Sequence, residues 1–272
     1  MTTQLPLEDN FEDVINKAQR GHGLADSILA EKAGVALPDL KALKSGEWNE
    51  AVGHKIAPAL ELNPDALTRL AKKSYRPAKV EVEGLAQFDT PFGDITVNSY
   101  VIWDPASGKA AAFDTGGDCS PILELLSRTS FQLESVFLTH TDGDHIFDLD
   151  RLVEKTKAKA YTSSREPLTG AESIEAGQEF QIGALKVNTR LTWGHSEGGI
   201  TYVVSGLERM VAVVGDAIFA GSMGGGRVSF ADALRTNREE IMSLPDGCVI
   251  CPGHGPMTSV GEERLHNPFL SV

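Results

Sequence analysis

The run THTDGDH, residues 139–145, decides how this chain is read. It follows LESVFL, residues 133–138, an apolar run with the length and composition of a strand. His140, Asp142, Asp144 and His145 then fall within six residues. A regular strand sends alternate side chains to opposite faces. A tight loop leaving a strand end can instead turn them toward one point. Imidazole nitrogen and carboxylate oxygen are ligands for divalent Zn, Mn or Fe. Taken alone, the run also fits a polar, solvated turn, since Thr, Asp and Gly are turn formers.

Three later places repeat the form of a strand with a ligand-type side chain at its end. TWGHSEGG puts His195 in a glycine-rich turn after the strand-like LKVNTRLTW. VAVVGDA puts Asp216 just past an apolar run, and CVICPGHGP puts His254 in a Pro/Gly turn after another. Parallel or mixed sheets gather such loops at one edge, where sites form. Four of the seven histidines lie in these places. His22, His54 and His266 have no ligand-like neighbours and read as surface or packing residues.

A chain of 272 residues can hold one good core and a small satellite domain. Its 41% apolar content fits an ordinary α/β protein, and no run approaches the roughly 18 apolar residues needed to span a bilayer. The N-terminus, MTTQLPLEDN, lacks the basic and apolar regions of an export signal, so a cytoplasmic location is the expectation. The net charge of −13 is uneven: residues 1–79 hold 11 basic and 11 acidic side chains, residues 80–272 hold 14 and 27. An acidic body disfavours long-range attraction of nucleic acid. Of the three cysteines, Cys248 and Cys251 lie in an apolar run. Strand geometry would separate them by about 10 Å and point them apart, which disfavours a disulfide. Buried structural thiols are expected, with Cys119 at a helix start.

Helical spacing marks 10–20, 24–34, 36–46, 50–60 and 64–73, so residues 1–75 are expected to form a bundle of about five short helices. SYRPAKVE, 74–81, reads as a linker. Strands then dominate residues 76–272: VEVEGLAQFDT, ITVNSYVIWD, KAAAFDT, LESVFLTH and AKAYTSSRE, with helices at 120–129 and 147–157. Two strands joined at Gly183 follow, then ITYVVSG, MVAVVGD, a helix over 229–244, and GCVICPG closing the sheet. Two halves, each of strands followed by covering helices, imply an α/β sandwich of two sheets with helices outside.

The blocks FLTHTDGDH, GHSEGG, VVGDAIFAGSMGG and CPGHGPMTSVGEERLHNPFL resemble, in order and spacing, the metallo-β-lactamase fold superfamily. They are most similar to its glyoxalase II-like branch of hydroxyacylglutathione hydrolases. The resemblance covers residues 80–272 and implies an αββα sandwich with a metal site at one sheet edge. The family pattern His-x-His-x-Asp-His maps onto His140, Asp142, Asp144 and His145, so an aspartate replaces the second histidine. By this resemblance His140 and His195 hold a first metal, with Asp142 as a third ligand. Asp144, His145 and His254 hold a second, and Asp216 bridges both. Asp142 adds one negative charge to the centre, which lowers its power to stabilise an oxyanion and favours a harder ion such as iron or manganese over zinc. Residues 1–75 resemble a lambda-repressor-like helix-turn-helix domain through LAEKAGVALPDLKALKSG and IAPALELNPDALTRLA. The recognition region carries Asp39, Lys41 and Lys44 but no Arg, Gln or Asn, the usual donors to DNA. A bundle serving packing or homodimerisation is the preferred reading, with DNA as the disfavoured partner.

The expected function is a metal-dependent hydrolase with two divalent ions, Zn or Fe/Mn, attacking a thioester or related activated acyl ester with a metal-bound hydroxide. Asp144 would orient the nucleophile, and Arg227, in GSMGGGRVSF, would bind an anionic group of a small-molecule substrate. Larger glyoxalase II proteins carry helices after this point that contact glutathione, whereas here NPFL is followed only by Ser271 and Val272, so glutathione specificity is not expected and small thioesters or other activated esters stay open. Two alternatives stand. One is a persulfide dioxygenase-like enzyme with a single iron on His140, His195 and Asp216 and with Asp142 turned away. The other is a DNA-binding regulator whose second domain senses a metal or metabolite.

Overall fold

The computed structural model describes residues 5–271. Five helices come first: α1 (Phe11–Gly21), α2 (Asp26–Ala33), α3 (Leu37–Lys44), α4 (Glu50–Ala59) and α5 (Pro64–Ala71). Asn49 and Asn63 cap α4 and α5 by accepting hydrogen bonds from Val52 N and Ala66 N, and Gly34 ends α2 in the left-handed conformation. The segment read as a linker is not free of the fold, because Tyr75 is buried.

The first sheet holds six strands in chain order: β1 (Leu85–Phe92), β2 (Ile95–Trp103), β3 (Lys109–Phe113), β4 (Gln132–Phe137), β5 (Lys159–Ser163) and β6 (Ala171–Ile174). β1–β2–β3 are antiparallel, and β3 to β6 run parallel through α6 (Ser120–Arg128), a one-turn helix α7 (Gly143–Ile146), and α8 (Leu149–Thr156). The second sheet comprises β7 (Glu179–Ile182), β8 (Leu185–Leu191), β9 (Ile200–Ser205), β10 (Val211–Gly215), β11 (Val249–Pro252) and β12 (Thr258–Ser259), ordered 12-11-10-9-8-7. Its helices are α9 (Phe230–Thr236), which continues as a π-helical turn over Asn237–Ile241, and α10 (Val260–His266).

Period-two alternation builds the layers. On β10, Val211 and Val213 enter the core between the sheets, while Ala212 and Val214 face the helices outside. On β3, Ala111 and Phe113 point inward, and Ala110 and Ala112 lie under α6 and α8. The outer core of the second sheet is continuous with the N-terminal bundle: Val214, Ile250, Phe230 and Ile241 pack in one cluster with Phe11, Val14, Ile15 and Leu67. The result is an α/β sandwich of two sheets flanked by helices and preceded by an all-α region.

One expectation is corrected here, and two elements are added. VEVE, 80–83, is not a strand; β1 begins at Leu85, and Val82 simply plugs the core. The helix α10 was not anticipated. β6 was not anticipated. Cys119, Cys248 and Cys251 are buried and unbridged, as read from the sequence. Burial pushes the Cys119 thiol up to about 12 and Cys248 to about 11, which leaves both unreactive. Among the described residues no helix is long and apolar enough to cross a membrane.

Candidate metal centre

The parallel strands deliver their C-terminal ends to one edge. β4 leads into the 139–145 loop, β10 into Asp216, and β11 into His254. β9 runs antiparallel to β10, and the turn before it carries His195; Ile200 N donates to Thr139 O at 2.8 Å and closes the two sheets at this edge. Gly253 allows the approach. A Cβ there would lie 2.2 Å from Asp216 Oδ1 and 2.6 Å from His145 Cε1.

Seven side chains converge. His140 Nε2 and His195 Nε2 lie 3.5 and 3.4 Å from Asp142 Oδ2, and His195 Nε2 lies 3.5 Å from Asp216 Oδ2. On the other side, His145 Nε2 and His254 Nε2 lie 3.3 and 3.5 Å from Asp216 Oδ1. Asp144 Oδ2 completes this second set, 3.3 Å from His254 Nε2 and 3.7 Å from His145 Nε2. Asp216 thus offers one oxygen to each set. Asp142 faces the cluster, contrary to what the single-iron alternative requires.

The donor set fits two metal ions. Ligand atoms on a tetrahedral ion with bonds of about 2.0–2.1 Å stand about 3.3–3.4 Å apart, close to the spacings seen. His140 Nε2, His145 Nε2 and Asp216 Oδ1 are buried and have no hydrogen-bond partner. Buried polar atoms seldom lack partners, and an ion between them is the natural one.

Every histidine is aimed from behind. Nδ1 of His140 pairs with Thr139 Oγ1 (3.0 Å), of His145 with Asp114 Oδ2 (2.8 Å), of His195 with Gly225 O (2.9 Å), and of His254 with Thr96 O (2.6 Å). With Nδ1 engaged, each ring presents Nε2 to the centre. Asp114 also accepts from Thr139 N and Oγ1, both at 2.7 Å. Glu166 braces the loops by accepting from Thr141 N (3.0 Å) and Gly198 N (2.9 Å). These supporting residues were not identified from the sequence; only a ligand's need for an orienting partner pointed to them.

The electrostatics match. Burial pushes His145 down, but Asp114 and Asp216 outweigh it and carry it up to about 10. Burial likewise opposes charge on His254, and Asp144 and Asp216 carry it up to about 11. Burial pushes Asp216 up, yet His145 and His254 hold it well below the usual carboxylate range. Asp142 is held below that range by the His140 and His195 imidazoles that face it. The carboxylates are therefore ionised acceptors, suited to cations. Arg227, expected to bind a substrate anion, is engaged within the site: its Nη2 contacts Asp142 Oδ2 and lies 3.0 Å from His195 Nε2. His22, His54 and His266 lie elsewhere, against Leu60 O, Thr68 Oγ1 and the Tyr75 ring.

Comparison with known proteins decides the family, since the profile of the metallo-beta-lactamase superfamily matches residues 92–254. The chain belongs to the metallo-beta-lactamase superfamily. The superfamily match spans β1's last residue to His254 and so contains all seven clustered side chains. The chain is similar to a probable metallo-hydrolase, YqgX, of Bacillus subtilis, with 29% identity over 207 residues covering 66% of this chain and 95% of that one. It is similar to the hydroxyacylglutathione hydrolase GloC of Haemophilus influenzae, with 25% identity over 199 residues covering 64% and 92%. Among solved structures it resembles the B3 metallo-beta-lactamase BLEG-1, with 26% identity, a TM-score of 0.59, and coverage of 69% of this chain and 100% of that one.

Proposed function

We propose that the protein is a two-metal hydrolase of thioesters or related activated acyl esters. One observation carries this reading: two complete donor sets share Asp216, one through each of its oxygens. His140, Asp142, His195 and Asp216 would hold one divalent ion and Asp144, His145, His254 and Asp216 a second, and ions there would polarise an acyl carbonyl and lower the pKa of water. Asp144, kept ionised by His254 and His145 against its burial, would accept a hydrogen bond from an attacking water and align it. Asp216 fixes the spacing of the two halves. Thr139, Asp114, Gly225 and Thr96 hold the four rings in place. A thiolate leaves without protonation, so no separate general acid is required.

Two aromatic rings stand beside the ligand loop. Phe147 is 66% exposed and meets Phe92 edge-on at 5.4 Å, next to Gly143. This surface suits the hydrocarbon part of an acyl group. The names of the relatives, a probable metallo-hydrolase and a hydroxyacylglutathione hydrolase, favour the same chemistry. We read the N-terminal helices as a helix-turn-helix-type scaffold used for packing. Lys44 of the second helix of that motif is tied to Asp26 at 2.6 Å rather than left for phosphate, and the charge of Lys41 acts on the same carboxylate.

The test is hydrolysis of a panel of small acyl-thioesters, oxygen esters and a glutathione thioester, by protein loaded in turn with Zn, Mn and Fe. Metal-dependent thioester turnover, abolished by Asp216→Ala, is the expected result. Oxygen uptake with a persulfide and no ester cleavage by any loaded form would overturn the reading.

A further inference from the structure

We propose that Asp142 and Arg227 work as one neutral unit at the first ligand set, the carboxylate as ligand and the guanidinium cancelling the charge it adds. This rests on the two-metal reading above. The motif the chain resembles places a neutral histidine where Asp142 stands. An aspartate there brings an extra negative charge into the centre and weakens its pull on a developing oxyanion.

Arg227 answers that charge from beside the His195 turn, its Nη2 also lying 3.0 Å from His195 Nε2. Its Nη2 contacts Asp142 Oδ2, the same oxygen that lies 3.5 Å from His140 Nε2 and 3.4 Å from His195 Nε2. Its Nε donates to His195 O at 3.4 Å. The backbone around it is stitched to the His195 turn: Val228 N and Ser229 N both donate to Gly194 O at 3.0 Å, and Gly225 O receives His195 Nδ1. Gly224 makes this approach feasible, since a Cβ there would stand 1.9 Å from Asp216 O and 2.8 Å from His195 Nδ1. The loop that orients His195 thus also delivers the arginine to Asp142. A guanidinium carries one full positive charge, enough to offset one carboxylate. Unpaired, a cation this close would repel a metal ion; paired with Asp142, it leaves the set electrostatically like one built on histidine.

Arg227 is therefore a positioning and charge-setting residue. Its side chain is 54% exposed and that of Asp142 is 32% exposed, so solvent screens the interaction. The expected change in metal affinity for removing either charge is on the order of tenfold.

The test is zinc and manganese affinity, measured by competition with a chromophoric chelator, for the wild type, Asp142→His, Arg227→Met and the double variant, each first shown to be folded by circular dichroism. Arg227→Met is expected to tighten the first set about tenfold, because a repelling cation is gone. Asp142→His is expected to weaken it about tenfold, because Arg227 is left uncompensated. The double variant returns to within about threefold of the wild type. A purely structural arginine would do the opposite at the first step, since its loss would loosen Asp142 and weaken binding. Unchanged or weaker binding by folded Arg227→Met, or a double variant no better than Asp142→His, overturns the inference while leaving the two-metal reading intact. Failure of the wild type itself to bind metal would remove that reading first.

Discussion

Asp114 shows how much of the centre is built by residues that hold no metal position. It sits just past β3 with φ at 56°, a left-handed backbone that an L-residue adopts at a cost. The bend sends its carboxylate under the ligand loop, where it receives Thr139 and His145 together. Removing its charge should loosen His145 while leaving all seven inward-facing side chains present. Asp114→Asn is expected to weaken metal binding at the set containing His145 by about 10- to 100-fold, read by chelator competition. Affinity equal to the wild type would show that Asp114 serves the fold alone. The seven clustered residues were legible in the sequence because His140, Asp142, Asp144 and His145 crowd into one loop after an apolar run, and His195, Asp216 and His254 follow later strands in the order and spacing of a known family. Asp114 was not, because an aspartate ending a strand is also an ordinary turn residue.

Elements whose order depends on tertiary partners were the ones misread. β6 is only AESI, with no alternation to announce it; it exists because β5 offers an open parallel edge. α10 lacks an apolar stripe, since its buried residues are Val260 and Glu263, and one of these is a carboxylate. Ser259 caps it by accepting from Glu262 N. Glu263 is a buried junction: Tyr75 Oη and Thr258 Oγ1 donate to Oε1 at 2.8 Å, and Gly221 N and Asn267 Nδ2 donate to Oε2 at 2.9 and 2.8 Å. Burial pushes its carboxyl up to about 7 from an ordinary 4.5, despite those donors. Between these pH values the folded chain keeps a proton that the unfolded chain has released. The resulting stabilisation is complete below about pH 4.5 and is lost as pH rises to about 7. The melting temperature of the wild type relative to Glu263→Gln should therefore fall across that window and level off above it. A difference independent of pH would contradict this.

At the scale of the molecule, the N-terminal bundle and the sandwich share a core rather than merely adjoining. Phe230 packs against Gly21 and stands 5.2 Å edge-on from His22. Asn63 N donates to Pro268 O at 2.8 Å, Lys17 donates to Met223 O at 2.9 Å, and the Tyr75 ring stacks on His266 at 4.5 Å. This seam was illegible in the sequence, because Phe11, Leu67 and Leu70 have the same spacing whether a helix packs on its own bundle or on a neighbour. Lys17 also pairs with Asp9, and Gly255, beside His254, lies against the backbone of Pro6 and Glu8. The bundle therefore braces one bank of the metal edge. Expression of residues 76–272 alone should give an aggregating or molten chain, and Phe230→Ala in the full chain should cost about 3 kcal/mol in denaturant unfolding. A monodisperse, cooperatively melting truncated chain would show that the seam is dispensable.

The proposed function requires the seven clustered side chains to hold two divalent ions, with one oxygen of Asp216 facing each set. Metal content by mass spectrometry, after loading with excess zinc or manganese and exhaustive desalting, tests it most directly. Two equivalents per chain are expected for the wild type, falling below one in Asp216→Ala. One equivalent or none in the folded wild type, or a content unaffected by loss of Asp216, would contradict the account.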